Sequence, residues 1–201
     1  MPIISPRALR TRQKMYAATE FILSTEGYAA WNEEYLCQRC DCTRGALRYQ
    51  FPLGRYDLLP SFVETVIAQD ARMVASMGDL TPVERMYLFL LSMRNRPPSP
   101  ATLAILEISM AARGDAKLLS RIEPIMESAN ARVLGMAAGE TDPEMLALRC
   151  LLHGVSMYSF NKDFTPEGLN QLLNWLLIFL PVPPTVRARA GDMLNARQHA
   201  S

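Results

Sequence analysis

The sequence predicts an all-α fold, and three observations support this prediction. Apolar residues recur at the three- and four-residue spacing of a helix. No segment keeps the two-residue alternation that is typical of a half-buried strand. Helix-start signals also recur, in which Ser, Thr or Asp precedes a proline and, in most cases, an acidic residue. We therefore expect helices along the chain and no sheet.

The composition is that of a folded chain with little net charge. Of the 201 residues, 49% are hydrophobic, which is enough for a full core, and the formal net charge is +1. A chain so close to neutral has no global attraction for polyanions, so any nucleic-acid site has to be local. Arg7, Arg10, Arg12 and Lys14 form one local excess of positive charge. They belong either to a solvated N-terminal arm or to a segment that contacts phosphates.

Targeting signals are not evident. Residues 1–5 lack the charged start of a secretory signal, and no long apolar region follows them. The most apolar run, residues 172–180, is too short to span a bilayer. We expect a cytoplasmic protein with no membrane partner.

Three of the four cysteines, Cys37, Cys40 and Cys42, lie close together in the sequence. So few cysteines in a chain of this size suggest reduced thiols, not a disulfide framework. A zinc site needs about four ligands, and no second Cys/His pair is present. We expect core or turn cysteines, with thiol redox sensing as an alternative, and no metal or cofactor.

The first helix is predicted over residues 7–25. Met15, Ala18 and Ile22 form an inward stripe at helical spacing. Gly27 is suited to end this helix, because glycine is the usual residue just beyond a helix C-terminus.

Residues 31–51 predict two short helices joined by a tight turn. Asn32 and Thr43 are suited to cap the first and the second of them, because their side-chain oxygens accept an otherwise unpaired backbone N–H. Asp41 stands at the turn, and it is one of the few residue types besides glycine that tolerate a left-handed backbone.

The second short helix is expected to have one buried and one exposed face. Leu36 and Cys37 of the first helix should point inward, and so should Leu47 and Phe51, which lie four residues apart. The residues left pointing outward are Arg44, Gly45, Arg48, Tyr49 and Gln50. Such a face suits phosphates and base edges of DNA. The alternative is a solvated polar face on a structural helical hairpin.

A long fourth helix is predicted from Arg55 to residue 77, before Gly78. Its N-terminal end adjoins the second short helix, where backbone N–H groups are suited to a phosphate. Its far end should enter a second domain, so that one rod couples both. The residues expected to point inward are Leu58, Phe62, Val66, Ala68 and Met73.

The remaining helix boundaries follow from the recurring start signals. We predict helices near residues 82–95, 100–112, 115–138, 143–160 and 166–180. Pro124 is expected to kink or restart the third of these. After Pro181, a last helix over residues 187–198 and a frayed tail are equally compatible with the sequence.

Several spaced features resemble the DNA-binding domain of TetR-type transcriptional regulators. They are Gly27-Tyr28, Leu36-Cys37, Thr43-Arg44-Gly45-Ala46-Leu47 and Phe51-Pro52, and the resemblance covers about residues 10–60. It implies a three-helix, helix-turn-helix DNA-binding domain over residues 1–53 and an antiparallel helical ligand-binding and dimerisation domain over residues 54–201. The family usually has Ala, Gly and Tyr at the positions of Cys37, Asp41 and Arg48, and its Lys near the next helix is replaced by Arg55.

The resemblance also implies which residues contact a double-stranded DNA operator. They are Arg44, Arg48, Tyr49 and Gln50, with Thr43 and Arg55 on phosphates and with Asn32 and Gly45 beside them. Two copies are needed, since two such helices have to reach successive major grooves about 34 Å apart.

Methionines recur along the helices of the predicted second domain. Their simplest role is core filling, and the alternative is an adaptable apolar pocket with a few orienting polar groups. The candidate ligand-binding residues are Met86, Met93, Glu107, Met110, Met126, Asn130, His153 and Met157. Glu107, Asn130 and His153 are the polar ones, and we expect them to point inward.

The last two predicted long helices are apolar over more than one face. Such helices are either central or paired with another copy, and two from each of two subunits make a four-helix interface. The candidate interface residues are Leu148, Leu152, Val155, Leu172, Trp175 and Leu176.

Together with the resemblance, these observations predict a homodimeric DNA-binding transcriptional regulator. The resemblance implies that it is a repressor, which a small apolar or amphipathic ligand releases from its operator. The alternative is a helical ligand- or protein-binding module without specific DNA binding. We do not expect an enzyme, because His153 and His199 are the only histidines and no catalytic constellation is evident.

Overall fold

The computed structural model describes residues 5–94, 99–136, 139, 142–158 and 163–189, and within these ranges it contains helices and no strand. The all-α prediction is confirmed. The helices are α1 (Pro6–Glu26), α2 (Glu33–Arg39), α3 (Arg44–Gln50), α4 (Arg55–Ser76), α5 (Pro82–Ser92), α6 (Pro100–Ala112), α7 (Ala116–Ala129), α8 (Pro143–Tyr158) and α9 (Pro166–Phe179). A 3₁₀ turn (Tyr28–Ala30) precedes α2, and a π-helical turn (Asn130–Leu134) follows α7.

The chain divides into two compact units. The first combines Met1–Asp70 with Ser99–Ala129, and the second combines Ala71–Pro98 with Asn130–Ser201. Helices α6 and α7 therefore belong to the same compact unit as α1 to α3. The predicted domain boundary between residues 53 and 54 stays a prediction.

Side-chain caps define most helix starts. The Glu84 N–H donates to the Thr81 hydroxyl oxygen, and the Thr81 N–H donates to the Glu84 carboxylate. Together these two hydrogen bonds form a capping box at the start of α5. Ser99 and Thr165 cap α6 and α9 in the predicted way. These local signals were readable from the sequence because each involves residues three positions apart.

The first unit is built around the packing of α1 against α6 and against α2. Met15 and Ile22 of α1 are fully buried, as predicted. In α4 the predicted inward residues Leu58, Phe62 and Val66 are buried. Pro60 lies inside α4, and the helix continues through it.

Two details of the helix predictions need correction. Met73 is 45% exposed and Val74 takes the inward position, so the predicted stripe of α4 is out of register at its far end. Pro124 lies inside α7, which continues through it, so the helix does not restart at this residue. That helix ends at Ala129 and passes through the π-helical turn to Gly135, whose φ of 73° is a left-handed conformation that favours glycine.

The second unit is centred on the packing of α5 against α8. Tyr87 is fully buried, and its hydroxyl donates to Glu144 Oε1 at 3.0 Å. The segment after α9 is anchored: Val182 and Val186 are buried in this core, and Arg189 donates to the carbonyl of Met77 at 2.6 Å. Residues 184–189 are helical, and the rest of the predicted last helix lies outside the described residues.

Among the residues that the structure describes, no helix has both the length and the apolar character needed to cross a bilayer.

We expect the stability of the first unit to depend on Leu47, which is fully buried under α3. Leu47→Ala should lower the free energy of unfolding by about 2 to 5 kcal/mol, because it leaves a cavity in the core. Leu53→Ala is the matched control, since Leu53 is 46% exposed, and its effect should stay within about 0.5 kcal/mol. Urea unfolding followed by circular dichroism measures both, and equal losses would contradict this account of α3.

Candidate nucleic-acid interface

Helices α2 and α3 form the predicted helical hairpin, with both caps in place. The Tyr35 N–H donates to Asn32 Oδ1 at 2.9 Å, and the Ala46 N–H donates to Thr43 Oγ1 at 3.1 Å. Asp41 has a φ of 49°, which confirms the predicted left-handed turn. The cap predictions for Asn32 and Thr43 are therefore confirmed as local structure.

Buried residues fix the orientation of α3. Leu36 and Leu47 are fully buried and Phe51 is 2% exposed, so the inward face is as predicted. The Tyr16 ring lies 6.1 Å from the Phe51 ring, centroid to centroid, and the Arg12 guanidinium lies 5.0 Å from the Phe51 centroid. Rotation of α3 about its own axis would break these contacts, so its outward residues are held in one direction.

The outward face of α3 carries Arg44, Gly45, Arg48 and Tyr49, all of them exposed. Tyr49 is 83% exposed. Gln50 departs from the prediction, because it is half-buried and points toward α1. Its Nε2 donates to the Ala8 carbonyl at 3.1 Å, and its Oε1 accepts from Arg12 Nε at 3.3 Å. Gln50 is the last residue of α3, and the sequence pattern did not reveal that its side chain faces α1.

Both arginines of α3 are ion-paired to the first turn of α2. Arg44 Nη2 lies 2.7 Å from Glu34 Oε2. Arg48 Nη2 lies 3.0 Å and 2.7 Å from the two carboxylate oxygens of Glu33, and its Nη1 donates to the Pro52 carbonyl at 3.0 Å. Sequence reasoning missed both glutamates, although their place in the first turn of a helix that packs on α3 was a usable signal.

These residues surround an open groove between the N-terminal ends of α2, α3 and α4. Its lining is Asn32, Glu33, Glu34, Arg44, Gly45, Arg48 and Arg55. Gly54, just before α4, has a φ of 58°, and a Cβ there would overlap the Glu33 carboxylate in its present position. The groove thus brings five of the eight predicted DNA-contacting residues together. Of the other three, Thr43 precedes the lining residue Arg44, Tyr49 is exposed on α3, and Gln50 points toward α1.

The predicted basic arm is part of α1. Arg7, Arg10 and Lys14 are exposed, whereas Arg12 is half-buried and holds Gln50. Three exposed cations therefore remain for a phosphate contact.

The cysteine cluster lies in the corner between α2 and α3. Cys37 and Cys40 are buried, and the sulfur of Cys42 lies 2.9 Å from that of Cys40. Burial raises the pKa of the Cys37 and Cys42 thiols to about 11. At neutral pH they are protonated and poorly nucleophilic, which favours the packing role over redox sensing.

Helices α6 and α7 make polar contacts with the hairpin region inside the first unit. Glu107 of α6 accepts the Tyr28 N–H at 2.8 Å, just before α2. Arg121 of α7 lies 2.6 Å from Asp57 Oδ1, and the other oxygen of Asp57 accepts the Leu53 N–H at 2.7 Å. Glu107 was predicted to bind a ligand. That assignment stays a prediction, and in the structure the carboxylate has the Tyr28 N–H as a partner. Sequence reasoning did not find the contacts of Arg121 and Asp57.

The other predicted ligand-binding residues fall into different surroundings. In the first unit, Met110 is 54% exposed and Met126 is half-buried. In the second unit, Met86 and Met93 are buried in hydrophobic clusters, and Asn130 is half-buried in the π-helical turn. His153 and Met157 are exposed, so the expectation that His153 points inward was wrong. Its Nδ1 lies 2.7 Å from the Arg149 carbonyl.

The predicted dimer residues separate into three groups by exposure. Leu148 and Val155 are buried within the second unit and have almost no surface to offer a partner, which corrects their assignment. Leu152 and Leu176 are half-buried. Leu172 and Trp175 are 37% and 58% exposed.

Trp175 belongs to an exposed apolar patch on α9. Ile178 is 74% exposed and Phe179 is 68% exposed, and the Trp175 and Phe179 rings lie 4.8 Å apart between centroids. Sequence reasoning did not select Ile178 or Phe179, although the continuous apolar run 172–180 was the available signal.

These features define a class of protein, an all-helical chain with an N-terminal helix-turn-helix. No family model matches the sequence, and no curated protein matches it. Solved structures do match. One is from Rhodococcus sp. and is described as a TetR-family transcriptional regulator. It has a TM-score of 0.61 and 19% identity over 82% of this chain and 95% of the other.

A second match is Salmonella enterica GusR, with a TM-score of 0.52 and 16% identity over 88% of this chain and 99% of the other. Two matches over nearly the full length of the other chains show that this chain has the TetR-type fold. The predicted resemblance is thereby confirmed at the level of fold.

The cysteine environments predict an order of reaction with iodoacetamide. Cys150 is exposed and should be alkylated before Cys37, whose thiol is buried and has a raised pKa. Alkylation of Cys37 should keep accelerating as the pH rises toward about 11. Peptide mass spectrometry measures both rates, and protein unfolded in urea is the control. If Cys37 reacted as fast as Cys150 in the folded protein at neutral pH, the packing role would be refuted.

Proposed function

We propose that the protein is a dimeric DNA-binding transcriptional regulator, specifically a repressor that a small apolar or amphipathic ligand releases from its operator. The observation that carries this proposal is the rigidly mounted, exposed face of α3. Arg44, Arg48 and Tyr49 project from one short helix whose opposite face is fixed by Leu47 and Phe51. Arginine and tyrosine in this arrangement suit the phosphates and base edges of a major groove.

Phosphate contacts on either side would position α3 in the groove. Arg55 at the start of α4 and Thr43 at the start of α3 would contact phosphates, and the exposed Arg7, Arg10 and Lys14 of α1 would extend the positive surface. Contacts of this kind supply affinity and register but no sequence information, so Arg44, Arg48 and Tyr49 would carry the specificity.

Two copies would pair through α9. Leu172, Trp175, Ile178 and Phe179 present a contiguous apolar surface, which in a folded chain favours a protein interface. Pairing by a two-fold axis would place the two α3 helices on successive turns of a duplex.

A ligand among the Met-rich helices would act through contacts on the hairpin. The contacts of Glu107 with Tyr28 and of Arg121 with Asp57 tie α6 and α7 to the elements that hold α3. Helix α4 runs from the first compact unit into the second. If a ligand weakens operator binding, the operator must weaken ligand binding by the same factor.

The alternative is a helical ligand- or protein-binding module without specific DNA binding. The ion pairs of Arg44 and Arg48 with Glu34 and Glu33 favour it, because they neutralise much of the charge that DNA would meet. Salt-dependent binding to the DNA upstream of its own gene separates the two functions. A regulator binds this DNA more tightly than a random duplex, and the module binds both weakly and equally.

Arg44→Ala should weaken binding to that upstream DNA by about 1 to 3 kcal/mol, because one base or phosphate contact per subunit is lost. Arg72→Ala is the control, since Arg72 is exposed near the C-terminal end of α4, the end opposite to Arg55. Electrophoretic mobility shift titration measures both variants. An Arg44→Ala variant that binds as tightly as the unchanged protein would refute the role of α3.

Trp175→Glu should weaken self-association by about 2 kcal/mol or more, because it places a charge at the centre of an apolar interface. Leu119→Glu is the matched control, as Leu119 is also an exposed apolar residue, 39% exposed, but lies on α7. Sedimentation equilibrium measures the dissociation constant. Unchanged self-association of Trp175→Glu would show that α9 is not the interface.

A further inference from the structure

We propose that Glu33 and Glu34 are specificity-determining residues, which compete with DNA phosphates for Arg48 and Arg44 and thereby suppress sequence-independent binding. The inference rests on the proposed DNA-binding function. It concerns two acidic residues that lie inside the groove where a polyanion would dock.

The groove contains charges of both signs. Three arginines line it, Arg44, Arg48 and Arg55, and two glutamates line it as well. The groove therefore has a formal charge of only +1 where three cations converge. A phosphate that approaches Arg44 or Arg48 meets a carboxylate 2.7 Å from the guanidinium. Binding then requires the exchange of one anion for another, and it leaves a repelled carboxylate beside the DNA backbone.

The two ion pairs, Arg48 with Glu33 and Arg44 with Glu34, differ in geometry. Arg48 is held at two points, because Nη2 contacts both oxygens of Glu33 while Nη1 donates to the Pro52 carbonyl. The Glu33 side chain is only 23% exposed, and its carboxylate lies so close to Gly54 that a Cβ there would overlap it in its present position. Arg44 and Glu34 are 66% and 64% exposed, so that pair is held less firmly. Glu33 should therefore have the larger effect.

The two glutamates affect which DNA sequences the arginines can bind. An exposed ion pair contributes little to stability, so a strong competitor displaces it readily. A base edge that accepts two hydrogen bonds from one guanidinium, such as O6 and N7 of guanine, is such a competitor. A phosphate that takes the guanidinium is repelled by the displaced carboxylate, whereas a base edge is neutral and is repelled much less. The glutamates thus lower the affinity for random DNA more than the affinity for a duplex with the right bases.

Titration of a random-sequence duplex by fluorescence anisotropy tests the inference without knowledge of the operator. Glu33→Gln should bind about three- to tenfold more tightly than the unchanged protein at about 50 mM salt, and Glu34→Gln should show a smaller gain. The slope of log affinity against log salt concentration should steepen by about 0.9 for Glu33→Gln, as expected for one added phosphate contact.

Two controls separate this role from a general charge effect. Glu123→Gln removes the same charge from an exposed position on α7 and should change the affinity little. In an Arg48→Ala background, the gain from Glu33→Gln should be much smaller, because no guanidinium is released and only the repulsion between the carboxylate and the DNA is relieved. Thermal unfolding identifies any variant that has lost its fold. If Glu33→Gln has lost its fold, Glu34→Gln still tests the inference independently.

The possible results are distinct. Unchanged affinity of folded Glu33→Gln and Glu34→Gln, or a gain that Glu123→Gln matches or that is equally large without Arg48, overturns the inference and leaves the proposed function standing. If neither the unchanged protein nor any variant binds a duplex at the lowest salt concentration, the proposed function itself is overturned.

Discussion

The burial of Leu47 and Phe51 beneath α3 is the constraint on which the candidate interface depends. A seven-residue helix is too short to be stable in isolation, so its existence and its orientation both come from packing. The Thr43 cap adds a local contribution at the N-terminus. With these contacts in place, the direction of Arg44, Arg48 and Tyr49 is fixed before any partner arrives, and little ordering is required when one binds.

The same rigid mounting brings charges of both signs together. Packing of α2 against α3 places the first turn of α2, with Glu33 and Glu34, beside the arginines of α3. Acidic residues in that turn are favourable for α2 itself, because they lie at the positive end of its dipole. One pair of residues therefore stabilises the local fold and lowers the positive potential of the exposed face. A protein with a formal net charge of +1 has little remaining attraction for random polyanions.

Features that depend on residues close in sequence were predictable. The caps at Asn32, Thr43 and Thr81 and the left-handed turn at Asp41 each involve at most four neighbouring residues. The failures concern the direction of a side chain relative to distant elements. Gln50 is turned toward α1 by partners about 40 positions away, at Ala8 and Arg12. Periodicity identifies an apolar face, but it does not say whether that face meets the same chain or another copy, which is why Leu148 was misassigned.

The contact between Glu107 and Tyr28 shows how one residue can bear on two predicted roles. The carboxylate is the acceptor for a backbone N–H in the turn that leads into α2, and a Cβ at the neighbouring Gly27 would lie 3.5 Å from its Oε2. A ligand that bound Glu107 would therefore take the acceptor away from Tyr28. The N–H would lose a partner in a half-buried position, at a cost of about 1 to 3 kcal/mol. An energy of that size is comparable to a typical coupling between two sites, so a change at α6 could alter the placement of α2 and of the α3 face that packs on it.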